Sequence, residues 1–332
     1  MMQKNNEENL HNAHDKLFKA TFQYVEAVVE LVNFLFTREE AAVIDTEHLK
    51  LDTTHSISNG LQEFFSDVIY STKQKGSKRN VLITLLLEHK SAPDIFVLVQ
   101  LLNYMVSIWL KDIAAKRPLT VVIPVIFYHG KRKWKKKPFS DLFPGASPVF
   151  KKFMPEFDYH LLSVHQTPDE IIRALSADTL LGALMLTYKK IGDHDFAKNH
   201  AEEFFGFLKN SSHKIDLLRI FVKYFIHNAN LTNEEIPKII KKAIPSPIES
   251  DAMTAYQSII KAGIKEGIKE GEVLGAMVKS QKTVERLLLR GILSIPEIAD
   301  IVEVSVSFVL DIRDELLKDG KILSALVRNF KI

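Results

Sequence analysis

Hydrophobic positions change period several times along this chain, and each change predicts an element. From His14 to about Phe36, Leu17, Phe18, Val25, Val28, Val29, Leu31, Val32 and Leu35 recur at helical spacing. Residues 49–57 suggest a short strand. The stretch LQEFFSDVIYS, 61–71, is rich in β-formers, and Gly76-Ser77 follows it in a polar turn. NVLITLLLEHK, 80–90, supplies the other arm of a hairpin, apolar until it ends in Glu88, His89 and Lys90. Pro93 is expected to open a helix that runs to about Ala115, since proline is tolerated in a first turn. LTVVIPVIFYHG, 119–130, predicts another buried strand. Its Pro124 calls for an edge or a bulge, because proline donates no ladder hydrogen bond. The order is helix, three strands, helix, strand.

A short strand is expected near 157–164, helices from about 168 to 242, a proline-marked linker in AIPSPIES, 243–250, and helix thereafter. The division is a disordered polar tail at 1–13, an α/β core at 14–165, a helical extension at 166–242, the linker, and a helical region at 251–332. Hydrophobic residues are 46% of the 332 and charged residues 26%, a globular composition. No apolar run reaches the length of a membrane span, and the start carries no hydrophobic signal core. A cytoplasmic protein without a membrane partner is expected. There are no cysteines, which excludes disulfides and thiolate zinc sites. The net charge is only +3, so the total does not argue for nucleic acid. Its distribution does: KGSKR at 75–79 and KRKWKKK at 131–137 are dense cationic patches.

The polar end of the 80–90 strand carries the candidate chemistry. Alternation puts Glu88 and Lys90 on one face and His89 on the other. With the hairpin turn centred between Ser77 and Lys78, Asp67 lies opposite Glu88, their Cβ atoms roughly 5 Å apart. Two such carboxylates repel unless a cation lies between them. Mg²⁺ suits that place, being bound by one or two carboxylates together with waters and phosphates. Lys90, one pleat on, can orient or deprotonate a water or offset charge on a phosphate. The same spacing also fits an ordinary strand-end salt bridge, and a one-residue slip would turn Asp67 to the other face.

HDKLFK (14–19), FFSDVIYS (64–71), LLLEHKSAPD (85–94) and VIPVIFYHG (122–130) together resemble the recombination-promoting nuclease (Rpn) family, also described as putative transposases of the PD-(D/E)XK nuclease superfamily. The resemblance covers roughly residues 12–205. It implies a restriction-endonuclease-like αβββαβ core, with a mixed sheet flanked by helices, and an α-helical C-terminal extension. The implied activity is metal-dependent cleavage of DNA, with Mg²⁺ as cofactor and Mn²⁺ or Ca²⁺ as substitutes. Asp67, Glu88 and Lys90 match the motif residues. Asp67, Glu88 and the backbone carbonyl of His89 are the implied metal ligands. Ser66 stands where the motif has proline. Gln100 and Tyr104 resemble the Q-x-x-x-Y element that helps position the site, although i and i+4 residues on a helix also fit a packed flank.

Lys131, Arg132, Lys133, Lys135, Lys136 and Lys137 surround Trp134. Cations of this density contact phosphates and tryptophan stacks on unpaired bases; a solvated loop is the other reading. Gly263, Gly267, Gly271 and Gly275 fall near one face of the expected C-terminal helix, which reads as a linker or as a seam for a homo-oligomer. IPEIADIVEVSVSFVLDIR, 295–313, resembles a helix-turn-helix with Glu303 in the place of the usual turn glycine. Its second helix is too acidic to favour DNA. The expectation is a DNA endonuclease that promotes recombination, in mobile-element or phage-defence biology. The alternative is a noncatalytic DNA-binding or assembly protein from the same stock. No separate acidic triad of the integrase type is present.

Overall fold

The computed structural model describes residues 13–52, 68–77, 82–208 and 214–319. Five strands form one mixed sheet among these residues: β1 (Lys50–Leu51), β2 (Val68–Lys73), β3 (Leu82–Lys90), β4 (Val121–Tyr128) and β5 (His160–Ser163), side by side in chain order. β1, β2 and β3 run antiparallel, and β3, β4 and β5 run parallel. The hairpin register pairs Val68 with Leu87 and Lys73 with Leu82. That is the register a turn between Ser77 and Lys78 requires. The next pair, 67 with 88, has one member outside the described residues. So do most of the expected strand at 49–57 and residues 61–67 of the β-rich stretch.

Strand alternation explains the two faces. Val68, Tyr70, Leu85, Leu87, Val125 and Phe127 point into the larger core, while Ile69, Val122, Ile126 and Tyr128 point into a smaller one. Helix α1 (13–21), α2 (Val25–Leu35) and α3 (Arg38–Val43) precede the sheet. The helical run expected from His14 to Phe36 is therefore broken at 22–24, where Tyr24 adopts an extended backbone and precedes α2. The smaller core is closed by α4 (Val97–Ala114). It begins four residues after Pro93, because Asp94 accepts the Phe96 N–H at 2.8 Å and holds the chain in a turn first. By length and composition α4 is apolar enough to cross a membrane, contrary to the expectation that no segment would be. Val97, Leu98, Leu101, Tyr104, Met105 and Ile108 are nevertheless buried, as in a core helix. Asp112, fully buried near the end of α4, pairs with Arg117 at 2.6 Å and accepts the Thr120 N–H at 2.8 Å, which fixes the turn into β4.

Pro124 pairs with Leu86, one residue before β5 joins β4 at Val125 and His160. Its missing donor thus falls where β4 has a single neighbour. After β5 come α5 (Asp169–Ser176), α6 (Leu180–Lys190), α7 (His194–Asn199), α8 (Ala201–Phe204), α9 (Ile215–Asn228) and α10 (Glu235–Ala243). Leu184, Phe221 and Ile240 belong to the same core as the sheet residues Leu85 and Val125, so the stretch 166–242 shares one core with the sheet.

The segment 243–250 is a break at Ile244 and Pro245, followed at once by α11 (Ser246–Arg290). Pro245 and Pro247 fall just before and inside the first turn of that helix, where no N–H donor is needed. The compact units are Met1–Tyr256 and Gln257–Ile332, dividing within α11. In the second unit, α12 (Ile295–Val302) and α13 (Val306–Lys318) contribute Ile295, Ile298, Val309 and Ile312 to a small core with Val284 and Leu288. A capping box of Ser294 and Glu297 starts α12.

Candidate active site

The last three residues of β3 are polar and remain paired with Ile126, Phe127 and Tyr128 of β4. Glu88 and Lys90 project toward α4, and His89 projects to the opposite face. Glu88 is 3% exposed. Its Oε1 lies 3.0 Å from Lys90 Nζ and accepts a hydrogen bond from Gln100 Nε2 at 2.8 Å. Gln100 Oε1 accepts from Lys90 Nζ at 2.8 Å, and the same Nε2 donates to Tyr104 Oη at 2.6 Å. Lys90 Nζ also donates to Asp94 Oδ2 at 3.2 Å. Gln100 and Tyr104 are neighbours because they stand one turn apart on α4. The amide has its oxygen toward the ammonium and its nitrogen toward the carboxylate, the orientation in which donors meet acceptors.

Burial by itself pulls the Lys90 ammonium down, but the charges of and hydrogen bonds from Glu88 and Asp94 outweigh it and hold Lys90 above the usual lysine range. Lys90 is therefore a fixed cation, which favours orienting water and offsetting charge over taking a proton. Glu88 Oε2 is buried and has no hydrogen-bond partner among the described residues. A buried acceptor of this kind costs about 1–3 kcal/mol or more unless something satisfies it. A hard oxygen donor fits Mg²⁺. The donor set fits such an ion as far as Glu88 carries it; Asp67 lies outside the described residues.

On the other face, His89 stacks on Phe18 at 4.6 Å and on His129 at 4.8 Å, and His14 meets His129 at 4.6 Å. Asp15 Oδ1 lies 3.8 Å from His89 Nδ1. Burial pushes the Asp15 carboxyl up, yet its hydrogen bonds to His89 and Lys19 bring it below the ordinary aspartate value. Tyr188 donates to the His14 carbonyl, and Tyr224 Oη lies 2.6 Å from His14 Nδ1. This bracket holds the β3 backbone at His89 from behind. Sequence reasoning missed the meeting of His14, His89 and His129. The signal was there, in histidines at the ends of two adjacent parallel strands. Two acids of α2 are engaged within the fold. Glu26 pairs with Lys214 at 3.1 Å, and Glu30 accepts the Leu181 N–H at 2.8 Å.

The cationic loop follows β4. Trp134 packs edge-on against Tyr128 at 5.0 Å. Lys136 is engaged within the fold by Asp158 at 2.5 Å and over the Tyr159 ring. Lys131, Arg132, Lys133, Lys135 and Lys137 are exposed, and the Arg132 carbonyl accepts from Tyr128 Oη at 2.7 Å.

A family profile described as "Putative transposase, YhgA-like" matches residues 12–217. The chain belongs to that family. It is 26% identical over 161 residues to "Recombination-promoting nuclease RpnD" of Escherichia coli O157:H7, covering 48% of this chain and 61% of that protein. It is 27% identical over 118 residues to "Recombination-promoting nuclease RpnA" of Escherichia coli strain K12, covering 35% of this chain and 40% of that protein. The chain thus spans less than two thirds of the length of these curated relatives. No solved structure matches.

Proposed function

We propose that the chain is a metal-dependent DNA endonuclease with a PD-(D/E)XK core, hydrolysing phosphodiester bonds and promoting recombination. The observation that carries this reading is the Glu88 carboxylate. It is buried at the end of a core strand, bridged through Oε1 to Lys90 and Gln100, with Oε2 unsatisfied among the described residues. A core strand ending in such a group is poorly explained by stability alone, since a buried ion pair contributes little net stabilisation over an apolar pair. Asp67, Glu88 and the His89 carbonyl would hold Mg²⁺, or Mn²⁺ or Ca²⁺ in its place. When bound, the ion would lower the pKa of a coordinated water and offset charge on the phosphate.

Lys90 is held cationic to orient the attacking water and to stabilise negative charge gathering on the phosphoryl oxygens. Gln100 keeps Lys90 and Glu88 in register, and Tyr104 fixes the Gln100 amide. Lys131, Arg132, Lys133, Lys135 and Lys137 would contact DNA phosphates, which confers affinity without sequence preference. Lys136 contributes less, its charge being taken by Asp158. The reading includes a cytoplasmic protein whose partner is DNA.

Plasmid nicking tests it, with Mg²⁺, Mn²⁺, Ca²⁺ or EDTA, beside Asp67→Ala and Lys90→Gln. Lys90→Gln is preferred to Lys90→Ala because its amide can still donate a hydrogen bond to Glu88, whereas alanine donates none to that buried carboxylate. Metal-dependent nicking lost in both folded variants is the expected result. Undiminished nicking in either would remove the assigned site. No nicking with any metal would move the assignment to a noncatalytic DNA-binding protein.

A further inference from the structure

A cavity of about 570 Å³ opens between the start of α4 and the loop after β4. It adjoins the candidate active site: Asp94 lines it and accepts from Lys90 Nζ at 3.2 Å. Its walls are largely carbon, from Phe96, Trp134, Pro138, Leu142, Pro144 and Tyr159. Ile95 and Phe96, 70% and 62% exposed, stand on it without burial elsewhere. Lys133, Lys135 and Lys137 also line it. Of its two carboxylates, Asp94 is taken up by Lys90 and the Phe96 N–H, which leaves Asp141 against three lysines.

Aromatic and aliphatic walls with cations among them fit a particular chemistry, a flat uncharged ring joined to a phosphate. The size lies within the roughly 300–1,000 Å³ of small-molecule sites. We infer that this cavity receives one unpaired nucleotide of a DNA strand, its base against Phe96 and Trp134 and its flanking phosphates on Lys133, Lys135 and Lys137. The inference rests on the nuclease reading above and narrows it. The substrate class is DNA with an unstacked nucleotide beside the scissile phosphate, such as a bulge, a mismatch or a single-stranded junction. A fully paired duplex would pay to expel a base before filling the cavity, whereas an unpaired base fills it at once. Apolar contact with a base makes the pocket tolerant of sequence, since every base has a π-face.

The test is binding without metal, in EDTA, to three fluorescein-labelled duplexes. One is fully paired, one has a single unpaired adenine, and one has an abasic residue at the same bulge. Wild-type protein should bind the unpaired adenine roughly ten- to a hundredfold tighter than the other two. Trp134→Ala should abolish the preference for the unpaired adenine over the paired duplex. Because Trp134 packs on Tyr128, Phe96→Ala provides the second variant; Phe96 is exposed, so its loss spares the fold and should also reduce the preference. Equal affinity for all three duplexes, no binding to any, or a preference that survives both variants overturns the inference. The same duplexes with Mg²⁺ separate the two readings. Cleavage without preference sinks the pocket alone, and preferential binding without cleavage sinks the nuclease alone.

Discussion

A carboxylate on the surface costs the fold nothing, and at Glu30 the structure has spent that freedom. The side chain caps the start of α6 by accepting the Leu181 N–H. Burial pushes its carboxyl up to about 7, and the hydrogen bonds from Leu181 and Leu180 offset this only in part. Between the ordinary glutamate value and about 7, the folded state keeps a proton that the unfolded state has lost. Stability from this residue is therefore present at low pH and falls as pH rises through that window. Glu30→Gln keeps an acceptor and cannot ionise. Urea unfolding followed by tryptophan fluorescence reports the first unit, where both tryptophans lie. From about pH 5 to about pH 7.5 wild type should lose on the order of 1–3 kcal/mol more than Glu30→Gln. Parallel losses would mean the carboxyl is not shifted. The residue scale also shows the limits of sequence. Glu88 and Lys90 were legible as one face of a strand, but the Gln100 bridge between them depends on how α4 lies over the sheet.

Elements were legible where their pattern is local. β3, β4, β5, α4 and the helices after β5 follow from period and length, and Pro124 correctly marked the place where β4 lacks a second neighbour. Boundaries were not, because they are set by caps. Asp94 delays α4 to Val97, and Pro245 and Pro247 permit a helix start where they suggested a linker. The turn between α12 and α13 illustrates a sequence signal that pointed both ways. Glu303 stands where glycine is usual, and it takes the left-handed conformation all the same, φ 57° and ψ 45°, while the Val304 N–H reaches the Ala299 carbonyl at 3.0 Å. A side chain in that region costs about 1–2 kcal/mol, and glycine avoids the cost. Glu303→Gly should raise the protection of α12 and α13 amides in hydrogen exchange by on the order of 1 kcal/mol. Unchanged or faster exchange would show that Glu303 contributes a contact worth more than the strain.

At the scale of the molecule, the exposed middle of α11 stands apart. Nothing lies within 4 Å of a Cβ placed at Gly263, Gly267, Gly271 or Gly275, and Ile264, Ile268, Val273 and Leu274 are exposed beside them. Each glycine costs the helix about 1 kcal/mol relative to alanine, and no contact within the described chain offsets it. The proposal of a homo-oligomer through this seam predicts a concentration-dependent dimer in sedimentation equilibrium, lost in Gly267→Leu with Gly271→Leu. A monomer at every concentration, or a dimer indifferent to the leucines, would reject the seam. The sequence by itself determined the order of the strands and the face shared by Glu88 and Lys90, and it indicated a hairpin register that the structure shows from Val68 to Lys73. These depend on spacing along one chain, and a strand of period two leaves no other choice of face. Tertiary structure alone decided that Gln100 ties Glu88 to Lys90, that His14, His89 and His129 come together on the other face, and that a cavity opens beside Asp94. Those depend on which helix covers which side of the sheet, and that is settled by packing between surfaces far apart in sequence, where no local period carries the information.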